Sequence, residues 1–114
     1  MKHFGLIGTN LSNSYSKLLH RWVYRNCNIE ATYNNFEIQE GSLDRLNRII
    51  REKYIDGINV TFPYKRKIMN YCDEINVKAD IIGAVNCIIM NNGKLHGYNT
   101  DCFGFLMLLK SNKI

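Results

Sequence analysis

Asn59-Val60-Thr61-Phe62-Pro63-Tyr64-Lys65 is the stretch around which the chain is organised. It begins as a strand, because Gly57-Ile58-Asn59-Val60-Thr61 is short, apolar-rich and β-branched, with a small residue at its start. Side chains along a strand alternate faces, so Asn59 and Thr61 point one way while Ile58 and Val60 point the other. Pro63 cannot continue a central strand, but its fixed φ suits the first position of a helix. Tyr64 to Met69 then reads as that helix, which puts Lys65 in its first turn, against the positive end of the macrodipole. Ligands of open α/β sheets bind at the carboxyl ends of strands, where Asn59, Thr61 and Lys65 would make a compact cluster of donors. The plainer reading is a buried strand whose Asn and Thr satisfy backbone groups, with Lys65 one of three solvated cations in Lys65-Arg66-Lys67.

Working outward, Phe4-Gly5-Leu6-Ile7-Gly8 reads as a first strand, followed by the turn-prone Thr9-Asn10. Ser12, Asn13, Ser14 and Ser16 crowd the next segment, and Leu18, Leu19, Trp22 and Val23 then recur at helical spacing. Ser16 is thus a candidate N-cap for a helix ending near Asn26. Serines ahead of a helix serve capping and turn chemistry, but several together also describe an anion site, where hydroxyls and free backbone N–H groups both donate. A second strand covers Ala31 to Ile38. Gly41-Ser42 starts a second helix, with Leu43, Leu46, Ile49 and Ile50 on its apolar face. A short helix over Val77 to Ile82 closes at Gly83.

From Ala84 the pattern changes to a hairpin: Val85 to Met90, a turn at Asn91-Asn92-Gly93, and a return over Lys94 to Tyr98. Asn86 interrupts an apolar run, so its amide needs partners if buried. Asn99-Thr100-Asp101 opens a last helix through Phe105, Leu106, Leu108 and Leu109, where Asp101 has a local explanation as a cap. Strands alternating with helices imply an α/β domain: a mostly parallel sheet flanked by helices, with one late antiparallel hairpin.

A chain of 114 residues is one domain and large enough to bury about two-thirds of its unfolded surface. Its net charge of +5 is spread over scattered Lys and Arg with no basic stripe, so it points to no nucleic acid partner. Cys27, Cys72, Cys87 and Cys102 form no C-x-x-C pair and have no histidine at zinc-ligand spacing, so no metal site is expected. They read as reduced, mostly buried thiols. Met1 to Gly8 lacks the apolar core of a secretory signal, and no run is fit to span a membrane. A soluble cytoplasmic protein is expected.

Four segments taken together carry more than any one alone. Gly8-Thr9-Asn10-Leu11-Ser12-Asn13-Ser14-Tyr15-Ser16 resembles the opening substrate loop of the shikimate dehydrogenase family. Asn59 to Lys65 matches that family's N-V-T-x-P-[YF]-K signature. Gly83-Ala84-Val85-Asn86 and Gly97-Tyr98-Asn99-Thr100-Asp101 match its G-A-V-N and G-x-N-T-D signatures in order. The resemblance covers essentially residues 1–114 and implies a substrate-binding domain of an enzyme that reduces 3-dehydroshikimate to shikimate with NADPH. By position it implies Lys65 and Asp101 as the catalytic pair, Ser14 and Ser16 as holders of the substrate carboxylate, and Asn59, Thr61 and Asn86 as ligands of the ring hydroxyls. Departures are Asn10 and Lys17, where the family usually has proline, Asn13 for histidine, and Cys87 for threonine.

No G-x-G-x-x-G occurs in the chain. The resemblance therefore implies that a nucleotide-binding domain follows in the full-length protein and that these 114 residues alone do not turn over. Two other readings stand beside it. One is a stand-alone, non-catalytic module for shikimate- or quinate-like hydroxy acids. The other, a small basic nucleic-acid binder, rests on charge alone.

Overall fold

The computed structural model describes residues 1–114. Its strands are β1 (Lys2–Gly8), β2 (Ala31–Glu37), β3 (Gly57–Val60), β4 (Glu74–Ile75), β5 (Cys87–Asn91) and β6 (Lys94–Tyr98). The α-helices are α1 (Ser16–Asn26), α2 (Leu46–Glu52), α3 (Val77–Ile82) and α4 (Thr100–Ser111), joined by three short 3-10 turns. One six-stranded sheet results, in the order β2-β1-β3-β5-β6-β4. β1 lies parallel to both β2 and β3, and β4 parallel to β6, while β5 runs antiparallel to β3 and β6. The mostly parallel sheet and the late hairpin are as the sequence implies.

Strand alternation divides the sheet into two unequal faces. On one, Ile7, Ile58, Val60 and Ile88 join Leu46 and Ile50 of α2, Ile68, Ala79 of α3, Val85 and Leu95 in a core of 14 buried residues. Leu43, Leu46 and Ile50 face inward as their spacing requires, Ile49 is half-buried, and Arg45, Arg48 and Arg51 are exposed. On the other face, Leu6 and Tyr33 pack with Leu11 in a small cluster that Phe4 and Tyr24 flank. The register pairs Leu6 with Asn59 and Asn59 with Cys87, so the amide of Asn59 lies on this thinner face, beneath α1.

Two helices sit differently from their sequence pattern. α1 has the expected length, but Leu18, Leu19 and Trp22 are exposed. It docks instead through Arg21, whose Nε donates to the Tyr33 carbonyl at 3.0 Å, and through the rings of His20 and Tyr24. α4 buries no residue and exposes Phe103, Phe105, Leu106, Met107 and Leu108. β4 has no counterpart among the strands expected from sequence. Non-local backbone bonds make it a strand: Asp73 N–H to the Leu95 carbonyl at 2.9 Å and Asn76 N–H to the Gly97 carbonyl at 2.9 Å.

The cysteines are free, with Cys27 exposed and the other three half-buried, so none is a fully buried core residue. Burial, aided by the neighbouring Asp73 carboxylate, pushes the Cys72 thiol up to about 11. No helix is long and apolar enough to cross a membrane.

β1 and β2 approach closely at Gly5, where a Cβ would stand 2.6 Å from the backbone oxygen of Asn34 and 2.4 Å from Cε2 of Phe36. Backbone cannot swing aside as a flexible side chain can. Gly5→Ala should therefore lower stability by about 1–3 kcal/mol, read as a fall in the urea midpoint at unchanged slope.

Candidate active site

The end of β3 is built by bonds to elements distant in sequence. Thr61 N–H donates to the Ile7 carbonyl at 2.9 Å, and Tyr64 N–H donates to the Thr61 carbonyl at 3.1 Å, closing a turn. The Tyr64 ring is buried, and its hydroxyl donates to the Ile38 carbonyl. The Lys65 carbonyl accepts from Val85 N–H at 2.7 Å and is thereby withdrawn from any helical ladder. Tyr64 to Met69 is consequently not the expected α-helix. The Phe62–Pro63 peptide is cis, and the only helical stretch here is a five-residue 3-10 turn, Lys67–Tyr71. Lys65 precedes that turn, so the macrodipole argument does not apply to it. Thr61, Phe62, Pro63, Lys65, Arg66 and Ala84 line a cleft of about 400 Å³.

Asp101 reaches this cleft through Asn86. The Asn86 backbone bridges two strands, its carbonyl accepting from Val60 N–H at 2.8 Å and its N–H donating to the Tyr98 carbonyl at 3.0 Å. The residue is 8% exposed. There Oδ1 accepts from Thr100 N–H at 2.8 Å, and Nδ2 donates to Thr100 Oγ1 at 2.9 Å. Asn99 Oδ1 caps α4 by accepting from Cys102 N–H at 2.9 Å, and Asn99 Nδ2 donates to the Ala84 carbonyl at 3.1 Å. Asp101 is thus not needed as the cap. Its carboxylate pairs instead with Lys65, Nζ to Oδ2, at 2.8 Å. The two side chains are 39% and 59% exposed, so solvent screens the pair and its contribution to stability is about 0–1 kcal/mol.

The serine loop forms a second group. Ser16 is the first residue of α1 rather than its cap, and Ser14 Oγ accepts its N–H at 3.2 Å. Asn10 adopts φ 52° and ψ 51°, a left-handed conformation closed to proline. The Leu11 N–H donates to Glu37 Oε1 at 2.7 Å. No hydrogen bond joins either serine to Lys65 or Asp101. Tyr33, which the sequence did not single out, ties β2 to β3 beneath α1. Its oxygen accepts from Asn59 Nδ2 at 2.9 Å. Burial pushes the Tyr33 phenol up, and the neighbouring Asn59 amide and Ser16 hydroxyl oppose that shift. His20 stacks on the Tyr33 ring with centroids 4.1 Å apart and planes 11° from parallel. Cys87, its thiol raised by burial, lines a second cavity of about 260 Å³ with His20, Tyr33 and Asn59. Thr100 is the other residue left unmarked by sequence, where it read only as part of a helix start.

Residues 6–88 match the family described as the shikimate dehydrogenase substrate binding domain. The chain belongs to that family. It is 43% identical over 114 residues to the shikimate dehydrogenase (NADP(+)) of Clostridium beijerinckii, covering all of this chain and 42% of the relative. Among solved structures, shikimate dehydrogenase 1 of Peptoclostridium difficile superposes with a TM-score of 0.92 at 45% identity, over 100% of this chain and 42% of that one. The Thermus thermophilus enzyme, solved in complex with NADP(H) and shikimate, superposes at 0.89 with 31% identity, over 100% and 43%. The chain therefore spans less than half the length of these relatives.

Within this family member, stability and the exposed ion pair should be separable. Lys65→Ala and Asp101→Asn should each shift the unfolding free energy by less than about 1 kcal/mol. Asn86→Ala, which removes the buried amide that bonds both the N–H and the hydroxyl of Thr100, should cost about 1–3 kcal/mol by urea denaturation.

Proposed function

We propose that the chain is the substrate-binding and catalytic-residue domain of a shikimate dehydrogenase that reduces 3-dehydroshikimate to shikimate with NADPH. The observation that carries this reading is the 2.8 Å contact between Lys65 and Asp101 at the rim of a cleft shared with Thr61. Hydride addition at a carbonyl carbon leaves an oxyanion, which must be stabilised and then protonated. The ammonium of Lys65 can do both. The Asp101 carboxylate orients that ammonium and retains an oxygen for a substrate hydroxyl.

The remaining polar groups suit a small polyhydroxy acid. Ser14 and Ser16 offer hydroxyl donors to its carboxylate. Thr61 offers a hydroxyl inside the cleft. Asn59 Oδ1 makes no bond of its own and can accept from a ring hydroxyl. Asn86 has one Nδ2 proton left after Thr100, so it serves a ligand while holding the helix start.

The residues present do not fit a dinucleotide. In dinucleotide-binding folds the turn after the first strand is glycine-rich and presents N–H groups to a pyrophosphate. Here the turn after β1 gives its Leu11 N–H to the Glu37 carboxylate, which would repel phosphate. We place the nicotinamide cofactor on polypeptide outside these 114 residues. The greater length of the relatives and the five exposed apolar side chains of α4 support a further domain docking beside the cleft.

In the two-domain enzyme, Lys65→Ala should leave the fold intact and lower kcat by about 10²–10⁴-fold, as loss of a general acid does. Steady-state reduction of 3-dehydroshikimate measures this, and an unchanged kcat would contradict the role given to Lys65.

A further inference from the structure

We propose that Tyr33 is a positioning residue, a buried phenol that fixes how Asn59 is presented to the ligand. The proposal rests on reading the cleft as a site for a shikimate-like acid. Tyr33 comes from β2, is 1% exposed, accepts a hydrogen bond from Asn59 of β3 and stacks on His20 of α1.

Hydrogen-bond polarity makes the bridge directional. A carbonyl can only accept, so the 2.7 Å contact between His20 Nδ1 and the Ser16 carbonyl places the proton on Nδ1. That bond and the stack at 4.1 Å hold the Tyr33 ring flat against α1. The phenol oxygen accepts from Asn59 Nδ2 at 2.9 Å, which turns Asn59 Oδ1 away as a free acceptor for a ring hydroxyl. The phenol thus fixes Asn59 as an acceptor for a ring hydroxyl of the ligand. Burial keeps the phenol protonated across the neutral range, so the arrangement does not switch there.

Tyr33→Phe keeps the ring and its stack and removes only the oxygen. The test is a binding cycle with shikimate by calorimetry on the protein, Tyr33→Phe, Asn59→Ala and the double variant. We expect Tyr33→Phe to weaken binding about 10-fold alone, but only about 3-fold where Asn59 is already alanine, because part of its action passes through that amide. A purely structural tyrosine gives the same loss in both backgrounds, and that result, or no loss, overturns the proposal. A second readout needs no ligand: hydrogen exchange of the Asn59 side-chain amide, which should quicken in Tyr33→Phe. Unchanged exchange overturns the bridge even if shikimate binds. Quickened exchange in a protein that takes up no shikimate supports the bridge and overturns the ligand reading instead.

Discussion

The contact between the Asn86 amide and Thr100 is the constraint on which the site depends. It fastens the start of the last helix to the end of the central strand, and nothing local in either segment would do so. Both polar ends of a buried amide are matched there, to N–H and hydroxyl of one residue. A buried polar group left unpaired costs about 1–3 kcal/mol, so the arrangement is strongly preferred over its neighbours. Asp101 follows Thr100 in the chain and is delivered to Lys65 by that fastening. The ion pair itself is too exposed to hold anything in place.

The two sheet faces divide the labour. The thick face, with 14 buried residues, supplies the stability. The thin face carries Asn59, Tyr33 and the serine-bearing end of α1, with only Leu6 and Leu11 buried beside Tyr33. Polar groups at the rim can therefore be arranged for a ligand without compromising the main core. Each is held by bonds to the scaffold: Lys65 through its own carbonyl, Asn59 through Tyr33, Asp101 through its neighbour.

What could be read from sequence was what is local. Alternation along Gly57-Ile58-Asn59-Val60-Thr61 is a property of the extended chain, so the face taken by Asn59 could be read directly. The length of α1 was legible for the same reason. Its apolar residues said helix correctly but not which side meets the sheet, because Arg21 and two aromatic rings do the docking. The segment after Pro63 misled, since its helix would need the Lys65 carbonyl, which Val85 takes from far along the chain. Tyr33 gave no signal because its partners lie on another strand and another helix. Asp101 looked like a cap until Asn99 was found to do that work. The pairing of Lys65 with Asp101 came from motif resemblance, and the geometry agrees with it.

The central claim is that one small hydroxy acid is met by the serine loop, the end of β3 and the start of α4 together. Backbone amide shifts during a shikimate titration test it most directly. The account predicts that Ser14, Ser16, Asn59, Thr61 and Asp101 shift in concert and fit one dissociation constant. Shifts confined to other residues, or two groups titrating with different constants, would contradict it.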